Sequence, residues 1–498
     1  MKASPHKRVY PLTHGCLAVL LGVTLAGCAS VPDLGQVPEL QTTAQLPSQH
    51  SLATSTVPAS AEQPWAAPQW WLHYHDEQLN KLMDQALTNA PDLQTARARI
   101  LKAAGYAQQA GASLLPGVNL DTSVTRVKQS YNNGVPEAAI PQDFNTASRA
   151  ALDFSYELDF WGKNRAAVAA ATSELAAAQA EAAQTRLILT TAIASAYAEL
   201  ARLHADYDAA VQAVTVRQHS VTLLQSRQRN GLETMGSVRQ AESRLAEARA
   251  DRLAAEEAIA LQRYRLTALA GIGPDAALSI TRPTVELIQP QAVPSTLAAD
   301  LIGHRPDLVA ARQRVEAAAK GIDVARAGFM PNVNLTAYVG MQSLGTLDLL
   351  TQGGSEIAGI GPAISLPIFR GGQLQGAYRV ARAEYDNAVA SYNQTLLQAL
   401  HEVVTSVTQQ HLLTPQLQER QTALQTAEQA YQLTDARYEG GLASYLAVLS
   451  AEDSVIATRR ALADLQSQSF TLDVALIKAL GGGYQRAVPT ATQPASHP

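Results

Sequence analysis

Cysteine is almost missing from this chain of 498 residues, which has two, Cys16 and Cys28. That excludes a disulfide framework and any cysteine-built metal cluster. Long apolar runs are missing as well. Beyond the N-terminal segment no window holds eighteen apolar residues in a row, and the best, LILTTAIASAYA at 187–198, is short and rich in Ala, Ser and Thr. A bilayer crossing would therefore have to be made with strands. Basic clusters are lacking: the net charge is −5, and a chain without residues 1–27, which hold Lys2, Lys7 and Arg8 but no acid, sits at −8. That balance argues against nucleic acid as a partner. No phosphate loop, G-x-S-x-G, H-E-x-x-H or convergent Cys and His set occurs, so neither an enzyme nor a metal or other cofactor is expected. His73 and His75 alternate as a metal pair would, but nothing nearby offers a third ligand.

The N-terminus has a basic start, an apolar run centred on LAVLLGVTLAG and then small residues, the layout of an export signal over 1–27. Leu25 to Cys28 reads LAGC, which resembles the bacterial lipoprotein box, cut before a cysteine that is then lipidated. Cys16 lies inside the signal, so the mature chain would keep Cys28 alone. Ala29 rather than Asp follows it, which in lipoprotein sorting implies the outer membrane. Residues 28–70 are rich in Pro, Ser, Thr and Gln and read as an extended leader, and 485–498 as a disordered tail.

Between them the chain says the same thing twice. Residues 91–120 and 306–335 align without a gap at an offset of 215, with fourteen identities in thirty pairs. FWG at 160–162 lies over FRG at 369–371, RQRNGL at 227–232 over RYEGGL at 437–442, and LTALAG at 266–271 over IKALGG at 477–482. The first repeat spans 71–275 and the second 276–484. Each holds short helices, a β-hairpin (about 117–160 and about 332–369) and a long helical hairpin (about 163–270 and about 373–481). Asp76 is placed to cap a helix over EQLNKLMDQAL and Pro91 to open the next, an arrangement that recurs around Ser295 and Pro306.

The hairpin periodicity is sharpest in ALDFSYELDF. Leu152, Phe154, Tyr156, Leu158 and Phe160 share one face, and Asp153, Ser155, Glu157 and Asp159 the other. One face is apolar and the other requires water. The last strand carries Pro362 and Pro367, and its facing is left open. From Lys163 to Asn230 there is neither Gly nor Pro, and a helix of that length would run about 100 Å. Ile193, Leu200, Tyr207, Val214 and Val221 form one seven-residue row, with Tyr197, His204, Val211 and Gln218 as the second row of a coiled-coil seam. Pro415 is expected to kink or break the corresponding helix of the second repeat.

The fold class is thus α+β, mainly helical. Four strands do not close a membrane barrel, since single-chain barrels need about eight or more and an open edge in lipid leaves backbone unsatisfied. Three copies would supply twelve strands, with helical hairpins continuing from every strand pair and the acidic face lining the bore.

The LAGC box, WWLHYHDEQLNKL, the paired PDL segments, YELDFWGKNR, SLPIFRGG, the RY..GL turn and KALGGGYQ together resemble the outer-membrane factor family of efflux exit ducts, the TolC and OprM type, over nearly the whole mature chain. The resemblance implies a homotrimer with a twelve-stranded outer-membrane barrel and a periplasmic α-helical barrel. It implies a lipid on Cys28, and as partners a periplasmic adaptor and an inner-membrane RND-type pump in a Gram-negative cell. By the same resemblance Gly231, Leu232, Gly441 and Leu442 form adaptor-contact tips, and Leu433, Asp435, Arg437 and Tyr438 a periplasmic gate. Asp153, Glu157 and Asp159 are candidate lumen-lining acids, either as cation-favouring rings or as groups that keep the bore wet. A type I protein-secretion duct would share the fold, and a lipid-anchored structural coiled coil would explain the seam but not the strands.

Overall fold

The computed structural model describes residues 30–46, 67–130, 132, 134, 136, 138, 140–284 and 303–485. The export signal, Cys28, Ser295 and the tail from 486 onward lie outside the described residues. Helices α1 (Glu77–Asn89) and α2 (Pro91–Ala112) precede strands β1 (Gly117–Lys128) and β2 (Phe144–Glu157) and the helices α3 (Lys163–Arg229) and α4 (Met235–Leu269). The second half repeats the order with α5 (Pro306–Ala327), β3 (Asn332–Gly345), β4 (Glu356–Ser365), α6 (Gln373–Glu439) and α7 (Tyr445–Ala479). Among the described residues no helix is long and apolar enough to cross a membrane.

The chain divides into two compact units. The first, Met1–Glu39, Leu101–Ala176 and Arg312–Ser391, contains the sheet. Its four strands are antiparallel in the order β1-β2-β3-β4, so β1 and β4 are edges with no partner strand among the described residues. The register places Leu120 beside Leu152, Leu152 beside Val339, and Val339 beside Ala358. These lie on one apolar face with Val118, Val124, Phe154, Met341, Ile360 and Ile364, and that face is bare, with Leu120 68% and Ile360 79% exposed. The register also settles the facing of β4, whose Ile360, Pro362 and Ile364 join the apolar side. Gly340 is required for close packing, because a Cβ there would run into the Ala150 carbonyl oxygen. The leader is tied down in this unit. The Arg382 guanidinium donates to the Gly35 and Gln36 carbonyls, and the Tyr385 hydroxyl reaches Pro38.

β2 differs from its sequence reading. It begins at Phe144, ahead of the alternating ALDFSYELDF, and ends at Glu157, leaving Leu158, Asp159 and Phe160 outside it. The cause lies in the carboxylate of Asp159, whose Oδ1 accepts from the Asn164 N–H at 3.2 Å and whose Oδ2 accepts from the Arg165 N–H at 2.9 Å. Asp159 therefore caps the first turn of α3 rather than extending the strand.

The second unit is Leu40–Ile100, Ala177–Ala311 and Tyr392–Pro498. Asp76 caps α1 through the Leu79 N–H at 2.9 Å, and its other oxygen accepts from the buried Tyr197 hydroxyl at 2.9 Å and from Thr284. Around this junction Trp71, Leu79, Met83, Ile193, Leu200 and Leu266 form a closed core. Of the expected second row of the α3 seam, Tyr197 is fully buried and His204 half-buried. Val211 and Gln218 are exposed, and the row that stays buried or half-buried along its whole length is Ala196, Leu203, Ala210, Arg217 and Leu224, three residues after the first. A heptad seam alternates steps of three and four, so burial rather than spacing tells the two rows apart. Two alanines and an arginine hide that row from a reading weighted by apolar size. α6 runs through Pro415 with no break.

Candidate pore face and candidate gate

The polar face of the sheet carries Asn119, Asp121, Arg149, Asp153, Glu157, Tyr338 and Gln342 by register. Asp153 accepts two hydrogen bonds from the guanidinium of Arg149, at 2.7 and 2.9 Å. Glu157 meets Lys163 Nζ at 3.0 Å and the Asn332 amide at 3.0 Å. Asp159 is paired with Arg165 as well as capping α3. Each candidate acid is thus accompanied by a cation. Pairing of this kind weakens the local field of each acid while leaving the surface wettable.

At the other end of the helices, in the second unit, the two hairpin turns are built alike. The Leu232 N–H donates to the Arg227 carbonyl at 2.9 Å and the Gly231 N–H to Gln228 at 3.0 Å. The Leu442 N–H donates to Arg437 at 2.7 Å and the Gly441 N–H to Tyr438 at 3.0 Å. These are paired Schellman closures, which put one residue into the left-handed region. Gly231 at φ +70° and Gly441 at φ +74° occupy it. The leucine that follows each is left bare, 65% exposed at Leu232 and 74% at Leu442. Thr234 caps the returning α4 through the Ser237 N–H.

The four gate candidates do not converge. Leu433 and Arg437 are exposed, Asp435 is half-buried, and no ion pair joins Asp435 to Arg437. Burial pushes the Asp435 carboxyl up and Glu439 adds to the rise, with His219 opposing. Tyr438, unlike the other three, is buried. Its ring lies under the Arg227 guanidinium, 4.7 Å from centroid to carbon, and its hydroxyl donates to Glu233 Oε2 at 2.9 Å. Burial and the bond to Glu233 push that hydroxyl up to about 12. Tyr438 therefore fastens the second hairpin turn to the first from within one copy.

Sequence reading missed the most buried charge here. Arg217 of α3 and Glu452 of α7 are 2.6 Å apart with side chains 5% and 2% exposed, and Arg217 also binds Asp453. Burial pushes the Glu452 carboxyl up to about 7, although Arg217 pulls it down. Glu452 Oε1 is buried without a hydrogen-bond partner among the described residues. The signal for this pair was Arg217 standing in the true second row of the seam.

The comparisons agree with this geometry. The model of the outer membrane efflux protein family matches residues 82–272 and again 297–482, once on each repeat. The chain is 36% identical over 380 residues to the fusaric acid resistance protein FusA of Burkholderia cepacia, covering 75% of this chain and 70% of that one. It is 31% identical over 474 residues to the toluene efflux pump outer membrane protein TtgF of Pseudomonas putida, covering 94% and 96%. Among solved structures it is similar to the outer membrane protein VceC of Vibrio cholerae, with 47% identity, a TM-score of 0.80, and coverage of 84% of this chain and 100% of that one.

Proposed function

The chain belongs to the outer membrane efflux protein family, and from that premise we propose that three copies close their sheets into one twelve-stranded barrel that serves as the exit duct of an RND-type tripartite pump. It is an outer-membrane channel rather than an enzyme, and it works with an adaptor and an inner-membrane pump. The substrates in this reading are small toxic organic compounds, in keeping with relatives named for fusaric acid resistance and toluene efflux. Cys28 carries the lipid anchor. Leu232 and Leu442, bare beside their glycines, meet the adaptor. Leu433, Asp435 and Arg437 of neighbouring copies narrow the inner end, while Tyr438 holds each copy's two turns together. The polar face of the sheet, with Asp153 and Glu157 paired to cations, lines a wet and nearly neutral bore.

The observation that carries the assembly is the sheet, whose edges β1 and β4 have no partner strand among the described residues and whose apolar face is bare. In water such a surface aggregates, and in a bilayer the edges must pair with other copies. The test is a set of cysteine pairs on the apolar side of the two edges, L120C with A358C or I360C, oxidised in membranes. The closed trimer yields a ladder that stops at three copies. Ladders running past three, or no cross-link from any pair in folded and inserted protein, would sink the closed-barrel reading.

A further inference from the structure

We propose that the cleft between the start of α3 and the end of α5 binds the phosphate headgroup of an anionic glycerophospholipid, drawn from the leaflet on the helical side of the bilayer. The cleft lies wholly within the first unit and has a volume of about 480 Å³. Its walls are Trp161, Arg165, Lys320, Asp323, Arg326 and Met330, over a floor of alanine. Three cations thus face one carboxylate. Lys320 is paired to Asp323 at 3.0 Å and Arg165 is held by Asp159 at 3.3 Å, whereas Arg326 is exposed and its guanidinium makes no ion pair or hydrogen bond among the described residues.

The position of the cleft along the chain selects the ligand. The bare apolar face of the sheet ends where the strands hand over to the helices, and at that level both repeats expose aromatic residues, Phe160 and Trp161 in the first and Phe369, 85% exposed, in the second. Half-exposed aromatics at such a boundary mark the headgroup zone of a bilayer. Trp161 is fixed there, with its Nε1 donating to the Pro331 carbonyl at 2.8 Å, and Met330 stands on the same wall. A phosphodiester seated on Arg326 and Lys320 would meet charge-assisted donors, with its glycerol against Trp161 and its acyl chains along the apolar strands. A free inorganic anion would leave the tryptophan and methionine wall unused.

This proposal rests on the sheet being the membrane-facing part, and the test separates the two. Full-length protein in detergent is titrated with phosphatidylglycerol brominated on its acyl chains, which quenches nearby tryptophan. Phosphatidylcholine brominated in the same way and inorganic phosphate serve as comparators, and planar-bilayer conductance is recorded for every variant. The expected result is saturable quenching by the phosphatidylglycerol, lost in Trp161→Phe. The Lys320→Gln/Arg326→Gln variant should bind roughly thirtyfold more weakly from two lost cation contacts while still conducting. Identical curves for that variant and the wild type, or equal binding of phosphatidylcholine, would overturn the site, and displacement by inorganic phosphate would reduce it to an ion site. Wild-type protein that inserts and conducts without saturable quenching fails the lipid site alone. Protein that neither inserts nor conducts fails the membrane reading and the site with it.

Discussion

Replacing Glu452 by Gln should flatten the pH dependence of local stability at the hairpin turns. Glu452 sits 2% exposed against Arg217, and burial lifts its carboxyl from an ordinary 4.5 to about 7. A folded-state value above the unfolded one means that the folded turn holds the proton more tightly. The contribution is therefore complete below about pH 4.5, declines as pH rises, and is lost once pH passes about 7. The separation of these two values corresponds to about 3 kcal/mol. Gln keeps an oxygen for the Arg217 guanidinium but has no proton to lose. The assay is amide hydrogen exchange at the turn ends of α3 and α7, residues 217–224 and 445–452, between pH 5 and 8, with intrinsic exchange rates divided out. Wild-type opening free energy should fall relative to the variant across that window by a large part of the 3 kcal/mol. Parallel curves would mean that Arg217 holds Glu452 ionised throughout, and the reasoning from burial would be wrong.

Three further outcomes follow from the same geometry. Gly231→Ala and Gly441→Ala have open space around the added Cβ, so each should cost only the left-handed backbone, about 1–2 kcal/mol, read as faster exchange at the helix ends. Asp76→Ala removes the cap of α1 together with the acceptor for the buried Tyr197 hydroxyl, and should lower stability by about 2 kcal/mol or more in thermal unfolding. Arg149→Ala frees Asp153 on the polar sheet face, and the reversal potential in a salt gradient should move toward cation selectivity by about fivefold, the worth of one unit charge at 4 Å in water, with Arg149→Lys restoring it.

The architecture was legible because its signals are local and doubled. An absence of Gly and Pro over Lys163 to Asn230 can hardly encode anything but helix, and RQRNGL against RYEGGL places a glycine where each turn needs positive φ. Strict alternation through Leu152, Asp153 and Phe154 marked a two-faced strand. The misses share a different cause, because they depend on what lies opposite. Asp159 continues the alternation yet serves α3 as its cap, since a carboxylate five residues before a helical N–H is worth more as an acceptor than as a strand residue. The second seam row was hidden by Ala196, Ala210 and Arg217, small or charged residues that only a facing helix reveals as buried. The burial of Tyr438 was not visible in the sequence because Arg227 and Glu233, which enclose it, lie 211 and 205 positions away.

The most direct test of the central claim is single-channel conductance of the purified protein in planar bilayers, wild type beside a Tyr438→Phe/Asp435→Ala/Arg437→Ala variant. A discrete, small wild-type conductance that rises several-fold in the variant is the predicted result, because loosening the turns opens the inner end of a continuous duct. An inserted trimer that passes no current in either form would contradict the channel itself.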